Sequence, residues 1–451
     1  MPQWQSLIAD LAYILGKENV STREADLAPY AGPGEASPLP QAIVWPRKTE
    51  AVAELLRFTR KLKIPVTLAG PSALPAPGGV VLDLKRMNRL RRANPVNLAC
   101  EVEAGMTGEQ LEKALGEKGL TLGCLPASLA NSPVGAWLAG RAGGLHPSRL
   151  GQVADLVVSL EGVLPDGTVF RSRPTPRSAA GPDLDQVIVG SESTLAVITA
   201  AVLAVERQPE LKVWRRFLFA DLPSGLEALR ALMQKGMDPI AAQLDDEPAT
   251  RLQAASLHFE LRKAGGCLLT LGFEGAAELT KLKAELGARL CRERCGEDLD
   301  EDLGVGALQQ RDAASRNSSV ALPESYAILD SIEFGAAWAS LLPLYQAVRA
   351  ATGSLALGLA HFSEPHREGA SLCFTFAGQA DDPNRLELVQ QLCEKASEAG
   401  LSLRAAVCHP SLGPHPAQWT PAHHGAALDL YRGLKHFLDP DNFLNPGKTR
   451  V

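Results

Sequence analysis

The feature that most constrains the fold of this sequence is a strand–helix–strand pattern that leads into a loop of small residues, all within positions 41–84. QAIVW and IPVTLAG are typical of strands, and TEAVAELLRFTRKLK between them is typical of an amphipathic helix. This order predicts a βαβ unit. The loop AGPSALPAPGG follows, and its layout resembles a phosphate-binding turn. Three of its positions are prolines, which have no N–H to donate to a phosphate.

Composition excludes several classes of protein. Across 451 residues, 45 Lys and Arg face 51 Asp and Glu, and no block of like charge stands out, so a nucleic-acid-binding protein or a polybasic membrane anchor is disfavoured. The eight cysteines include no C-x-x-C pair, and we expect no metal site. No apolar window is long enough to span a bilayer, and the start has helical amphipathic spacing. We therefore expect a soluble, cytoplasmic protein without a transmembrane segment.

The rest of the first 206 residues continues the α/β pattern. The strands VVLDL and ACEVEAG and the helix TGEQLEKALGEKGL complete a first lobe, and ADLVVSLEGVLPDGTVFRS predicts a hairpin around Pro165-Asp166-Gly167. QVIVGSESTLAVITAAVLAV predicts a strand, a tight turn and a strand that close a second lobe. Residues 1–206 are thus predicted to form one domain of two α/β lobes.

A change of composition near residue 211 predicts a second domain. Three strand-then-helix units, beginning at VWRRFLFAD, CLLTLGFEG and ASLCFTFAG, indicate an α+β domain with helices on one face of a mostly antiparallel sheet over residues 211–419. Residues 421–451 form a helix and a turn-rich tail, which we expect to pack back on the first domain. The overall fold class is α+β.

Four motifs in order carry a resemblance to a known family: GGVVLDLKRMNRL, VSLEGVLPDGTVFRS, VIVGSESTLAVITAAVLAV and FLDPDNFLNPGK. Together they resemble the FAD-linked oxidase family, the vanillyl-alcohol-oxidase group with a PCMH-type FAD-binding fold. Members similar to D-lactate/glycolate dehydrogenase and alkyl-dihydroxyacetonephosphate synthase are the nearest in pattern. The resemblance implies that FAD lies between two lobes, that a glycine-rich loop wraps its pyrophosphate, and that a cap domain covers it.

The resemblance also implies which residues contact FAD. They lie in the proline-containing loop, in the small-residue stretch after Pro133 and in SESTLA, and they are Gly70, Ser72, Ala73, Gly135, Ala142, Gly143, Gly144, Gly151, Glu192 and Ile198. The sequence departs from the family pattern at Pro71, Ala136, Arg141, Ser193 and Ala196. Because the loop loses amide donors and contains no histidine for a covalent link, we expect FAD to be non-covalent and weakly held or lost.

Family members oxidise a hydroxyl-bearing carbon by hydride transfer to the flavin, which requires a base near the hydroxyl and a cation for the acid group. The resemblance assigns these roles to His361, His423, His424 and Arg311. Adjacent histidines at a helix start can also be surface residues, and Arg311 fits an exposed helical arginine equally well. Cys373 replaces the tyrosine of synthase-like members, which argues against the ether-lipid reaction. Lys448 in the tail either reaches a phosphate or is solvated.

Two hypotheses follow from these observations. The first is an FAD-dependent dehydrogenase of a small 2-hydroxy acid, such as D-lactate or glycolate, that passes electrons to a partner protein or a quinone because no second redox centre is visible in the sequence. The second is a flavin-free or catalytically silent family member that serves as a subunit of a heteromeric complex. The losses of glycine favour the second, and the retained histidines favour the first.

Overall fold

The computed structural model describes residues 4–31, 39–70, 78–123, 132–142, 151–175, 178, 180–256, 265–299, 322, 326–379, 381–410 and 421–448. The helices are α1 (Trp4–Leu15), α2 (Glu24–Leu27), α3 (Thr49–Lys61), α4 (Gly108–Gly116), α5 (Val134–Gly140), α6 (Asp185–Ile188), α7 (Leu222–Gln234), α8 (Glu247–Ser256), α9 (Ala277–Arg292), α10 (Trp338–Thr352), α11 (Arg385–Ser402), α12 (Pro421–His424) and α13 (Ala427–Leu438). Short 3-10 helices cover Lys17–Asn19, Ala28–Tyr30 and Val153–Leu156.

The strands are β1 (Val20–Ser21), β2 (Ala42–Val44), β3 (Val66–Leu68), β4 (Val80–Leu82), β5 (Leu90–Asn94), β6 (Ala99–Glu103), β7 (Leu120–Thr121), β8 (Val157–Val163), β9 (Val169–Arg171), β10 (Val197–Ala204), β11 (Glu206–Arg207), β12 (Leu211–Phe219), β13 (Ala241–Asp245), β14 (Cys267–Gly275), β15 (Glu297–Asp298), β16 (Tyr326–Ala337), β17 (Leu357–Ser363), β18 (Gly369–Gln379) and β19 (Ala406–Pro410). The chain divides into two compact units. Unit 1 comprises Met1–Gly144, Gly151–Gln208 and His424–Val451, and unit 2 comprises Leu145–Leu150 and Pro209–His423.

The first sheet of unit 1 contains the predicted strand–helix–strand pattern. Its strand order is β1-β2-β4-β3, and β4 lies between β2 and β3 and is parallel to both. Helices α1 and α3 cover this sheet, and the apolar positions of α1 that helical spacing predicts, Leu7, Leu11 and Leu15, are buried against it. The carboxyl end of β3 therefore leads directly to Gly70 and the proline-containing loop.

The second sheet of unit 1 has the order β5-β6-β10-β8-β9, and all its pairs are antiparallel. The predicted hairpin is present as β8 and β9, and Gly167 has the left-handed φ of 80° that its turn requires. Helix α4, which the sequence predicts, begins with a capping box formed by Thr107 and Gln110.

Two predictions for unit 1 are wrong. Strand β6 pairs along its full length with β10, so it belongs to the second lobe and not to the first. QVIV was expected to be a strand, but Asp185–Ile188 forms a helical turn. Contacts from distant residues hold this turn: Ser172 donates to Asp185 (2.6 Å), and Gly190 N donates to Leu138 O (2.9 Å). Tertiary contacts thus override the strand preference of the β-branched residues.

Unit 2 contains the predicted antiparallel sheet, with the strand order β15-β12-β14-β13-β17-β18-β16-β19. Helices α7, α9, α10 and α11 share one apolar core with one face of this sheet, which supplies Phe217, Phe362 and Phe374. Strand register places a polar row on the opposite face, in which Asp245, His361, Cys373 and Glu333 are successive partners across β13, β17, β18 and β16. Among the helices of the described ranges, none is both long and apolar enough to cross a membrane.

Candidate functional site

The strand that leads into the predicted pyrophosphate loop is held by the C-terminal tail. Val66 N donates to Phe443 O (2.8 Å), and Asn445 N donates to Val66 O (2.7 Å), so a single parallel β-bridge joins Leu444 of the tail to Val66 of β3. The side-chain oxygen of Asn445 accepts a hydrogen bond from Leu68 N (3.0 Å). A Cβ built on Gly70 would meet no atom of the described residues within 4 Å. Ser72, Ala73 and the departure at Pro71 lie outside the described residues.

The SESTLA segment forms a turn with left-handed backbone at two successive residues, Glu192 (φ 52°) and Ser193 (φ 57°). Glu192 N donates to Ala139 O of α5 (2.8 Å), which ties the turn to the end of that helix. Arg141, which ends α5, is also left-handed (φ 50°). Two of the departures from the family pattern, Arg141 and Ser193, therefore keep the backbone conformation that Asn or Gly adopts more easily, at a cost of about 1 kcal/mol each.

Two other departures need no such conformation. Ala136 lies within helix α5, and neither Ala136 nor Ala196 is among the described residues with positive φ. Alanine is therefore compatible with the backbone at both positions. The backbone of unit 1 therefore accommodates the departures from the family pattern at Arg141, Ser193, Ala136 and Ala196.

The remaining predicted cofactor residues have structural reasons for their identity. A Cβ on Gly135 would lie 2.9 Å from the Cβ of Ala104, and one on Gly151 (φ 79°) would collide with Asp155, so both glycines are required by local packing. Ile198 is buried on β10, opposite Gly162 of β8. Ala142 N donates to Trp137 O (2.9 Å) at the end of α5. Gly143 and Gly144 lie outside the described residues.

Asn445 and Lys448 bring the predicted segments together. Asn445 Nδ2 donates to Glu192 O (2.6 Å), while Asn445 Oδ1 accepts from Leu68 N, so one side chain joins the end of β3 to the left-handed turn. The Nζ of Lys448 lies 3.7 Å from the Glu192 carboxylate, and the Lys448 side chain is only 11% exposed. Lys448 is therefore buried and not solvated, and burial lowers its pKa.

Helix α13 holds the other side of the turn. Tyr431 shares a hydrogen bond with the Thr194 hydroxyl and donates to Ser191 O (3.3 Å). Lys435, which is 4% exposed, donates to Thr194 O (3.0 Å), Leu444 O (3.0 Å) and the Asp439 carboxylate (2.6 Å). Sequence reasoning missed both residues. A signal for Lys435 was present, because it lies seven residues after the buried Leu428 and so on the same helix face, with Asp439 one turn further.

These residues fit a bound flavin. Ser191 Oγ is a buried polar atom with no hydrogen-bond partner among the described residues, and buried polar atoms are normally satisfied by a partner or a ligand. It lies next to the two left-handed residues, in the segment that the resemblance assigns to FAD. Gly70, Glu192, Ser193 and the residues at the end of α5 are the groups that would hold the cofactor.

In unit 2 the predicted catalytic residue His361 lies on β17, in the polar row. Desolvation lowers its pKa to about 4, so its imidazole is neutral near pH 7. Asp245, which lies opposite His361 in the strand register, is buried. Burial raises the pKa of its carboxyl to about 7, although the hydrogen bonds donated by Gln243 (2.8 Å) and Gln253 (2.9 Å) act to lower it. Burial likewise raises the pKa of Cys373. The row thus combines a neutral base with a carboxyl that titrates near neutrality.

Of the other predicted catalytic residues, the structure describes His423 and His424. His423 Nε2 accepts a hydrogen bond from Val407 N (3.1 Å), so this ring nitrogen holds strand β19. His424 ends helix α12, and the division into units falls between the two histidines. Arg311 lies outside the described residues. Among the described residues, no group of His, Cys, Asp and Glu is arranged to hold a metal ion.

Opposed pKa shifts in the polar row predict opposite pH dependence for two variants. Asp245 has a folded pKa near 7 against 3.8 unfolded, so its contribution to stability falls as pH rises from about 4 to 7. His361 has a folded pKa near 4 against 6.5 unfolded, so its contribution rises over about 4 to 6.5. The two contributions nearly cancel in the parent protein between about pH 4.5 and 6.5.

Removing either titratable group should reveal the pH dependence that the other group gives to the stability of unit 2. Over that pH range the free energy of unfolding of unit 2 should rise by roughly 2 kcal/mol in Asp245→Asn and fall by roughly 2 kcal/mol in His361→Gln, relative to the parent. Urea unfolding at several pH values measures both slopes, and exposed His366→Gln is the control, with the parent's slope expected. Equal slopes in all four proteins would contradict the assigned shifts.

Comparison with known proteins places the chain in a family. Residues 40–173 match the FAD binding domain family, and residues 208–449 match the C-terminal domain of FAD linked oxidases. The chain is 30% identical over 445 residues to the uncharacterized FAD-linked oxidoreductase YgcU of Escherichia coli K12, covering 91% of this chain and 89% of that protein. These matches support FAD as the cofactor.

More distant relatives include two proteins with assigned names. The chain is 26% identical to alkyldihydroxyacetonephosphate synthase of Trypanosoma brucei brucei, covering 91% of this chain and 73% of that protein. It is 23% identical to the glycolate oxidase subunit GlcD of Bacillus subtilis, covering 97% and 95%.

Solved structures share the fold. An alkyldihydroxyacetonephosphate synthase superposes with a TM-score of 0.80 at 21% identity over 99% of this chain and 85% of that one. A p-cresol methylhydroxylase with bound substrate superposes with a TM-score of 0.78 at 16% identity over 99% and 97%. The fold, the flavin segments and the matches over both halves agree, and the chain therefore belongs to the FAD-linked oxidase family.

Proposed function

We propose that the protein is an FAD-dependent dehydrogenase of a small 2-hydroxy acid, such as D-lactate or glycolate. The observation that carries this proposal is the position of His361 in the polar row of unit 2, opposite Asp245 and Cys373, where desolvation lowers its pKa and keeps the imidazole neutral near pH 7. Oxidation of a hydroxyl-bearing carbon needs a base that is unprotonated at the working pH, and His361 meets that requirement.

The residues of this chain have distinct roles in the proposal. His361 takes the proton of the substrate hydroxyl, and Arg311 pairs with the substrate carboxylate; His423 and His424 remain candidates for orienting the substrate. When bound in unit 1, FAD would supply the acceptor for the hydride of the hydroxyl-bearing carbon. The product is a 2-oxo acid, and the two electrons pass on to a partner protein or a quinone.

Two observations support this substrate class over the ether-lipid reaction of the synthase. The match to the glycolate oxidase subunit GlcD extends over 95% of that protein, whereas the match to the synthase covers 73% of it. Cys373 also stands beside His361 at the position where the resemblance places a tyrosine in synthase-like members. Cys373 cannot replace the phenol of that tyrosine as a hydrogen-bonding group of equal reach.

A second candidate is a catalytically silent subunit of a heteromeric complex. Pro71 favours it, because proline removes an amide donor from the loop that faces the pyrophosphate in the family. In that case the protein would keep the fold and its flavin segments without turning over a 2-hydroxy acid.

Anaerobic reduction of the flavin tests the two candidates. The purified protein, supplemented with FAD and freed of excess, should show the visible bands of oxidised flavin. These bands should bleach on addition of glycolate or D-lactate, and 1,2-propanediol, which lacks the carboxylate, serves as the matched control. Bleaching by a 2-hydroxy acid alone supports the dehydrogenase. A flavin spectrum that no 2-hydroxy acid changes would contradict it and favour the silent subunit.

A further inference from the structure

The C-terminal tail touches the left-handed turn of unit 1 at several points. We name Tyr431, Lys435, Asn445 and Lys448 the C-terminal clamp. Its members contact Ser191 O, the Thr194 hydroxyl, Thr194 O, Glu192 O and the Glu192 carboxylate. Side chains from residues 431–448 therefore hold Ser191, Glu192 and Thr194 of this turn.

Asn445 differs from the rest of the clamp because it contacts both the strand that leads into the proline-containing loop and the left-handed turn. Its Oδ1 accepts from Leu68 N, two residues before Gly70, and its Nδ2 donates to Glu192 O. The side chain is 7% exposed, so water cannot readily replace either bond. A primary amide is required here, since a carboxylate cannot donate to Glu192 O and an aliphatic side chain satisfies neither group.

The turn also needs external support. Glu192 and Ser193 are successive non-glycine residues with left-handed backbone, a conformation that persists only where the surroundings impose it. Ser191 Oγ beside them lacks a partner among the described residues. The shape of this turn therefore depends on the side chains that hold it.

We propose that Asn445 is a positioning residue for FAD: it fixes the distance between the strand leading into the pyrophosphate loop and the Glu192–Ser193 turn, so that flavin affinity depends on a side chain in the C-terminal tail. The inference is independent of the substrate proposed above. It rests on FAD as the cofactor and on the hydrogen bonds of unit 1. The proline-containing loop offers fewer backbone amides to the pyrophosphate, and the tail compensates by holding the Glu192–Ser193 turn in place.

FAD titration of the apoprotein tests the inference. Asn445→Gly keeps the left-handed backbone (φ 49°) accessible and removes both side-chain bonds, and Asn445→Asp keeps the acceptor for Leu68 N but loses the donor to Glu192 O. The matched control is Asn442→Gly, three residues earlier in the tail, also left-handed (φ 46°) but exposed. Affinity is measured by quenching of flavin fluorescence at a temperature at which every apoprotein is folded.

The dissociation constant for FAD should rise about tenfold to a hundredfold in Asn445→Gly and by a similar factor in Asn445→Asp, and should stay within about twofold in Asn442→Gly. A merely structural role would lower the melting temperature of the Asn445 apoproteins and leave their dissociation constants unchanged, which would overturn the inference. Failure of the parent protein to bind FAD would also overturn it, whereas failure to oxidise a 2-hydroxy acid would not affect it.

A milder variant keeps the test decisive if the Asn445 variants do not fold. Tyr431→Phe removes one hydroxyl, which bonds Ser191 O and the Thr194 side chain, and leaves the ring in place. It should raise the dissociation constant for FAD about threefold to tenfold. An unchanged constant in Tyr431→Phe would remove the clamp from cofactor binding.

Discussion

Replacing Lys435 with methionine is expected to lower the free energy of unfolding of unit 1 by about 3 to 5 kcal/mol, because the substitution leaves the carboxylate of Asp439 buried without its counter-charge. Lys435 is 4% and Asp439 1% exposed, and their charged atoms lie 2.6 Å apart. All three protons of the ammonium are used, on Thr194 O, Leu444 O and Asp439. The loss should appear in urea unfolding and as faster hydrogen exchange in α13 and residues 191–199.

Two further variants separate the buried charge from general disruption of the helix. Arg432→Met removes an exposed cation of α13, paired at 3.1 Å with Asp429, and should cost less than about 1 kcal/mol. The double variant Lys435→Met with Asp439→Asn removes both charges and keeps an oxygen for one of Phe443 N and Leu444 N, which donate to separate oxygens of Asp439, so it should recover part of the loss. A Lys435→Met protein as stable as Arg432→Met would show that the pair contributes nothing to unit 1.

Features set by local sequence were predictable. The apolar face of α1, the capping box of α4 and the β8–β9 hairpin follow from residues within one element, and each is present. The strand assigned to QVIV failed because its conformation is set by contacts from Ser172 and Leu138, which no local pattern encodes. Sheet membership failed for β6 for the same reason: its partner β10 follows about 100 residues later in the chain.

In the candidate site, contacts between distant parts of the chain limited the sequence-based prediction even more. Resemblance located Gly70 and Glu192, but the side chain that joins their segments, Asn445, is 253 residues from Glu192 in the chain. Its role depends on the parallel pairing of the tail with β3, which a strand pattern of three residues does not reveal. The register that sets Asp245 opposite His361 could likewise not be predicted from the sequence, because it follows from the order of eight strands.

The departures from the family pattern acquire a physical interpretation in this structure. At Arg141 and Ser193 the chain keeps the left-handed backbone without glycine, and side chains of α13 and the tail hold the residues on either side of Ser193, at Thr194 O and Glu192 O. Affinity for FAD and stability of unit 1 should therefore be linked, since the same residues, 431–448, support both. Ligand that binds only the folded protein adds to its stability, so added FAD should raise the melting temperature of unit 1.

His361→Gln is expected to lower turnover of a 2-hydroxy acid by about 10²-fold or more, because glutamine cannot accept the proton of the substrate hydroxyl. The imidazole of His361 is neutral above about pH 4, so the parent should keep its base over the whole neutral range. Steady-state rates with glycolate or D-lactate and an artificial electron acceptor, measured with saturating FAD, give the comparison. His424→Gln tests the second candidate base in the same assay.

The flavin content of each variant decides whether lost turnover reflects chemistry. His361 lies in the sheet of unit 2, and the residues that fit FAD lie in unit 1, so His361→Gln should bind FAD with an affinity within about twofold of the parent's. His366→Gln, five residues further along the chain and exposed, should keep full turnover. If His361→Gln turned over within about twofold of the parent, the base would have to be sought elsewhere, because no other histidine lies in the polar row of Asp245, His361, Cys373 and Glu333.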